Sequence, residues 1–241
     1  MFVVEKIDLP KLGIRGLEAN LSEEESAIQD SAHRFAEEVM RPIAEKLDKM
    51  TPDEVVAEGS PIWDYLTQLR ASGLLDLEML ASMSNDEKSR IVPILFEELA
   101  LIFTGVARAA YDHALAYCHE RVQGGVPIIE HQSVRLRLFA LWRKVEACRA
   151  MAHRICNYNY SDNGPHVVAS ITSKTFVTQN AFEVTSEALQ LFGGNGLTRE
   201  YPIEKLMRDA RASMIEDGEN NILGLNAMGM LSDTYKFENN L

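Results

Sequence analysis

The chain has 241 residues, with 24 Lys+Arg against 36 Asp+Glu, for a formal charge of −12. That sign argues against a nucleic-acid partner and against an anionic membrane surface, both of which are bound through Lys/Arg-rich faces. The hydrophobic share of 46% is enough for one large core or two small ones. No run approaches the roughly 18 apolar residues of a membrane span. Met1 to Pro10, which includes Glu5 and Asp8, lacks the apolar stretch of a secretory signal. Cys118, Cys148 and Cys156 are odd in number and have no CxxC spacing. They read as reduced thiols of a cytoplasmic protein.

In chain order, Ser22 followed by Glu25 has capping-box spacing. Ile28, Phe35, Val39, Ile43 and Leu47 then recur at helical intervals, with Pro42 expected to bend or break that helix. Ser60-Pro61 opens a second helix, as N-cap and first helical residue, which stops near Gly73. A third runs from about Ser89 to Phe103, with Pro93 in its first turn and a joint at Gly105, beyond which a helical face continues to Val122. Gly124, Gly125 and Pro127 mark a loop. Val134, Leu138, Leu141, Val145, Cys148, Ala152 and Ile155 are spaced four and three apart, the pattern of a long bundle helix. After a turn at Asp162–Pro165, another long helix carries Ile171, Phe182, Leu189 and Phe192 and stops at Gly193-Gly194-Asn195-Gly196. Pro202 opens a short helix, and a last one covers about Asn220 to Tyr235. No strand alternation or Asn-Gly hairpin is apparent. The expected fold is all-α, a bundle of about seven helices.

Three clusters stand out, each with a plain structural alternative. Taken alone, Arg121, before Gly124-Gly125, reads first as a helix-end cation favoured by the macrodipole. Gln190 through Gly196, taken alone, is a weak signal, since a glycine helix stop is common. Glu216, Asp217 and Glu219, taken alone, read first as acids placed before a helix N-terminus. Arg208 and Asp209 read as an adjacent structural ion pair. The six histidines show no ligand spacing, so no metal site is expected.

Taken together and in this order, the clusters resemble the C-terminal helical domain of the acyl-CoA dehydrogenase family. ALQLFGGNGLTREYPIEKLMRD, Ala188 to Asp209, is very close to its signature, and HERVQGG with Glu130-His131-Gln132 resembles its ERxxFG…EHQ region. LSEEESAIQDSAHRFAEEVMRPIAEKLD and Phe96-Glu97-Glu98-Leu99-Ala100 resemble the start and end of the family's N-terminal helical domain. The central β-sandwich of that family is missing. The resemblance therefore implies an N-terminal helical region, 1–104, fused near Gly105 to a C-terminal helical-bundle domain, 105–241.

It also implies half of an FAD site: Arg121 toward the pyrophosphate, Gln190, Gly193 and Gly194 as the loop reaching the adenine end from a neighbouring subunit, and Gln132 in the EHQ position. Asp217 falls at the catalytic glutamate, with Glu216 at the preceding tyrosine as the alternative base, Glu219 in place of a flavin-contacting threonine, and Gly124 in place of a phenylalanine. Two functions follow as expectations. One is FAD-linked oxidation of an acyl-CoA thioester, by α-proton abstraction and hydride transfer to flavin, alone or with a partner subunit such as a full-length homologue. The other is a non-redox structural subunit or acyl-CoA or small-molecule binder on the same scaffold. A homodimer or higher homo-oligomer is expected in either case.

Overall fold

The computed structural model describes residues 34–71, 85–162 and 164–239, with a few isolated residues between 23 and 31. The chain divides into two compact units, 1–82 and 83–241. The described residues are helical apart from turns and one two-stranded hairpin, so the all-α expectation holds and no β-sandwich is present among them. The Ser22–Glu25 cap, Ile28 and the stop near Gly73 lie outside the described residues.

In the first unit, a π-helical turn at Ala36–Met40 leads into α1, Arg41–Leu47, with Pro42 in its first turn. Proline has no N–H, and its ring crowds the carbonyl four residues back. The wider turn in front of Pro42 lets the helical path continue instead of breaking. Helix α2, Pro52–Val56, has a complete capping box: Thr51 N–H donates to Glu54 Oε2 at 2.7 Å, and Glu54 N–H donates to Thr51 Oγ1. The Thr51 amide and the Thr51 hydroxyl, which also donates to Glu54 Oε2 at 2.9 Å, favour the charged form and hold the Glu54 carboxyl below its usual range. Helix α3, Pro61–Ala71, opens as expected, with Ser60 Oγ accepting from Ile62 N–H at 3.3 Å.

In the second unit, α4 runs unbroken from Asn85 to Glu120. Gly105 is therefore not a break in the helix but a residue inside it, and Pro93 lies beyond the first turn. The two helical faces expected on either side of Gly105 are one face. A hairpin follows, β1 (Val122–Gln123) and β2 (Val126–Pro127), with Val122 opposite Pro127. Its turn residues Gly124 and Gly125 have φ of 67° and 87°, the pair of positive values that a tight two-residue hairpin demands. Helices α5 (Gln132–Asn159), α6 (Val167–Phe192), α7 (Ile203–Ser213) and α8 (Asn220–Glu238) complete the unit.

The core lies where α4, α5, α6 and α7 meet. Ala107, Ala110, Ala114 and Cys118 on α4 and Val177, Ala181, Val184 and Ala188 on α6 are completely buried, each set spaced three or four apart. Small side chains on both helices let them approach closely. All seven residues named on α5 from the sequence are present in that helix, and Leu138, Leu141, Val145, Cys148, Ala152 and Ile155 are buried. Arg137 bonds Glu187 and Lys144 bonds Glu183 across α5 and α6, the register of antiparallel neighbours. Helix α8 seals a smaller cluster, packing Leu223 and Ala227 with Ile171 and Phe96.

Candidate functional site

Helix α4 ends at one end of the bundle, beside the end of α6. Tyr117, Arg121, Gln123 and Ile128 face Gln190 through Asn195 across an open cleft of about 310 Å³. Four of the five cofactor-site candidates, Arg121, Gln190, Gly193 and Gly194, thus line one cleft within a single chain. Gln132 is exposed at the head of α5 and is not among the cleft's lining residues. Its neighbour His131 donates from Nε2 to the Gln123 carbonyl at 3.0 Å and ties the hairpin to the start of α5.

Aromatic packing supports the floor of the cleft. Tyr117 stacks on Phe192 with centroids 4.1 Å apart, and Tyr201 meets both rings edge-on. The Tyr117 hydroxyl accepts from Asn195 Nδ2 at 2.9 Å and donates to the Phe192 carbonyl at 3.3 Å. It thereby fixes the turn Gly193–Leu197. A side chain at Gly196 would stand 2.7 Å from the Leu189 carbonyl oxygen, so the glycine lets this turn fold back onto α6. Gly193 and Gly194 are exposed. Arg121 is an exposed cation at the cleft wall, and with Gln190 and the bare glycine backbone it suits an anionic, polar ligand such as a pyrophosphate.

The candidate base lies elsewhere. After α7 the chain turns through Ile215, Glu216 and Asp217, all exposed, with Asp217 at φ 51° and Gly218 at φ 113°. Glu219 caps α8, accepting from Asn221 N–H at 3.0 Å and Ile222 N–H at 3.2 Å. The Asn221 amide is the main cause holding the Glu219 carboxyl below its usual range. The bland reading of Glu219 as a helix-end acid is therefore realised. Arg208 and Asp209 do not pair as adjacent neighbours: Arg208 bonds Glu204, and Asp209 bonds Lys205, each one turn back. Neighbours in a helix diverge by about 100°, whereas residues four apart share a face.

Lys174, which sequence reading passed over, holds this loop. It is completely buried on α6, and its ammonium donates to the Gly218 carbonyl at 2.8 Å and to Asn220 Oδ1 at 2.9 Å. Asn220 in turn donates to Thr178 Oγ1 at 3.0 Å. Burial pushes the Lys174 pKa down, while Asp217, Glu216 and Glu219 pull it up. Its one sequence clue was a cation in the apolar rhythm of α6, four residues before Thr178.

Lys174 and Gln190 are sixteen residues apart on α6, or about 24 Å along the axis at 1.5 Å per residue. The cleft and the Asp217 loop therefore occupy separate ends of that helix. Among the described residues, no group of His, Cys, Asp and Glu could hold a metal ion, and no helix is long and apolar enough to cross a membrane.

The fold is that of an antiparallel helical bundle of the acyl-CoA dehydrogenase C-terminal type. Residues 98–230 match the acyl-CoA dehydrogenase C-terminal domain, and the chain belongs to that family. It is 39% identical over 118 residues to the probable acyl-CoA dehydrogenase FadE25 of Mycobacterium tuberculosis, covering 49% of this chain and 30% of that protein. It is 34% identical over 118 residues to the short-chain specific acyl-CoA dehydrogenase of Megasphaera elsdenii, covering 49% of this chain and 30% of that protein. The solved butyryl-CoA dehydrogenase of Megasphaera elsdenii superimposes with a TM-score of 0.55 at 30% identity, covering 58% of this chain and 38% of that one. The chain thus spans under a third of the length of the curated relatives it matches.

Proposed function

We propose that the chain is the helical part of an FAD-linked acyl-CoA oxidoreductase. Arg121, Gln190, Gly193 and Gly194 would hold the diphosphate and adenine end of the cofactor, with Gln132 as a further contact from the first turn of α5. Bound FAD would supply the hydride acceptor. Asp217, with Glu216 as the alternative, would take the α-proton of an acyl-CoA thioester. The observation that carries this reading is the gathering of an exposed arginine, an exposed glutamine and a glycine turn in one cleft.

The distance between that cleft and Asp217 favours a site completed by a second chain, either another copy or a full-length homologue that supplies a β domain. In family terms, residues 1–104 and 105–241 are two helical regions of separate origin, now joined inside α4. FAD titration of the full chain, alone and mixed with a full-length homologue, tests the reading. Flavin fluorescence should be quenched, and Arg121→Ala should weaken binding about tenfold or more, the loss of one charge-assisted contact. Absence of FAD binding under both conditions would reject it.

One observation favours the second reading, a non-redox binding or structural subunit. Glu216, Asp217 and Glu219 place three carboxylates around the position of the base, and Asp217 holds a left-handed conformation on an exposed loop. Solvent-isotope exchange at the α-carbon of an acyl-CoA decides between them: loss of exchange in Asp217→Asn supports the enzyme, and absence of exchange in the parent protein supports the binder.

A further inference from the structure

A second cavity, of about 510 Å³, opens between the end of α5 and the start of α6. Met151, Ile155 and Ala169 give it apolar walls, and Arg154, Tyr158 and His166 bring polar groups to it. Ala169 lies twenty-one residues before Gln190 on α6, about 31 Å along the axis, so this is not the cleft at Arg121. Nor does it belong to the Asp217 loop, because Ala169 and Lys174 point about 140° apart around α6.

The polar groups are fixed in place. Buried Asn159 accepts from the His166 N–H at 3.0 Å and donates to Ser170 Oγ at 2.8 Å, which anchors the chain at His166. The Ala169 N–H donates to His166 Nδ1 at 3.2 Å. A ring nitrogen that accepts carries no proton, so the proton of the neutral imidazole is on Nε2, on the far side of the ring from α6. The Tyr158 ring meets this imidazole edge-on, with centroids 6.2 Å apart.

Charge along the same groove shows what Arg154 is missing. Nearer the cleft, α6 answers the cations of α5: Arg137 bonds Glu187 and Lys144 bonds Glu183. From Val167 to Phe182, α6 carries no Asp or Glu. Among the described residues Arg154 has no ion-pair partner, so the chain supplies no carboxylate for this cation.

We infer that the cavity binds a small monocarboxylate with an apolar tail. The carboxylate lies on the Arg154 guanidinium and the His166 Nε2–H, and the tail lies against Met151, Ile155 and Ala169. A planar guanidinium takes a carboxylate through two parallel hydrogen bonds. Apolar walls with a few placed donors are the ordinary make-up of a small-molecule site. A free phosphate, with more charge and no tail, leaves those walls unused. The site does not depend on flavin binding.

Calorimetric titration of the full chain with hexanoate tests the inference, with 1-hexanol and inorganic phosphate as comparison probes. Hexanoate should bind saturably and more tightly than either, and in a methyl spectrum it should shift the Met151 signal. Arg154→Gln should weaken hexanoate about tenfold or more, through loss of charge-assisted bonds, with an unchanged thermal midpoint. His166→Asn, which keeps a helix-capping side chain but removes the Nε2 donor, should weaken it as well. Arg121→Ala, which probes the other cleft, should leave hexanoate affinity as in the parent. Absence of saturable binding, phosphate or hexanol binding as tight as hexanoate, or an unchanged affinity in Arg154→Gln would overturn it.

Discussion

The Lys174 ammonium lies 2.8 Å from the Gly218 carbonyl oxygen and so joins the N-terminal part of α6 to the loop that carries Asp217. A buried cation is bonded here to backbone and amide oxygens, with three carboxylates close by but none as its hydrogen-bond partner. The loop's shape depends on it, because without it the Gly218 carbonyl would lose this donor and the Asn220 amide oxygen would keep the Thr178 hydroxyl at 3.3 Å.

Lys174→Met should destabilise the protein by about 1–3 kcal/mol, the cost of unmet buried polar groups, partly offset by relief of the buried charge. Urea unfolding measures the loss. Hydrogen exchange should quicken at amides 214–220 while those of α5 keep their protection.

Gly218→Ala should be as damaging by a different route. The residue sits at φ 113°, and a Cβ there would lie 2.9 Å from Leu223 Cδ2. Strain of this kind costs on the order of 1–3 kcal/mol. A drop in the thermal midpoint of several degrees would show it; an unchanged midpoint would mean that the loop can relax.

Tyr117→Phe keeps the ring stack on Phe192 and removes only the hydroxyl between Asn195 and the Phe192 carbonyl. A stability loss of roughly 0.5–1.5 kcal/mol is expected. Under the proposed function, FAD affinity should fall as well, since the glycine turn loses its tether. Equal FAD affinity in parent and variant would separate the tether from the cleft.

Cys148 is completely buried, and burial pushes its thiol pKa from 9.0 up to about 12. A folded-state pKa above the unfolded one contributes stability that is full below pH 9 and is lost as pH rises toward 12. Unfolding free energies measured from pH 8 to 10.5 should therefore fall less steeply in Cys148→Ala than in the parent. An identical slope would contradict the burial. In the native protein, the half-buried Cys156 should react with a thiol reagent well before Cys118 or Cys148.

Much of the architecture could be read from one dimension. The four-and-three rhythm from Val134 to Ile155 marked α5 and its buried face, and the glycines after Phe192 marked the end of α6. Gly105 misled because a lone glycine lowers helix propensity by only about 1 kcal/mol, which packing of a 36-residue helix readily outweighs. The Gly124-Gly125 hairpin was read as a plain loop because its strands are two residues long, too short for alternation to show.

The sequence by itself determined the all-α class, most of the helices described and the family, because periodicity, caps and motifs are properties of neighbours along the chain. Only the tertiary structure decided that Arg121 and the Gly193–Gly194 turn share a cleft, that Asp217 stands at the other end of α6, and that Lys174 holds its loop. Those relations join residues more than forty positions apart, and they exist only once the helices have packed.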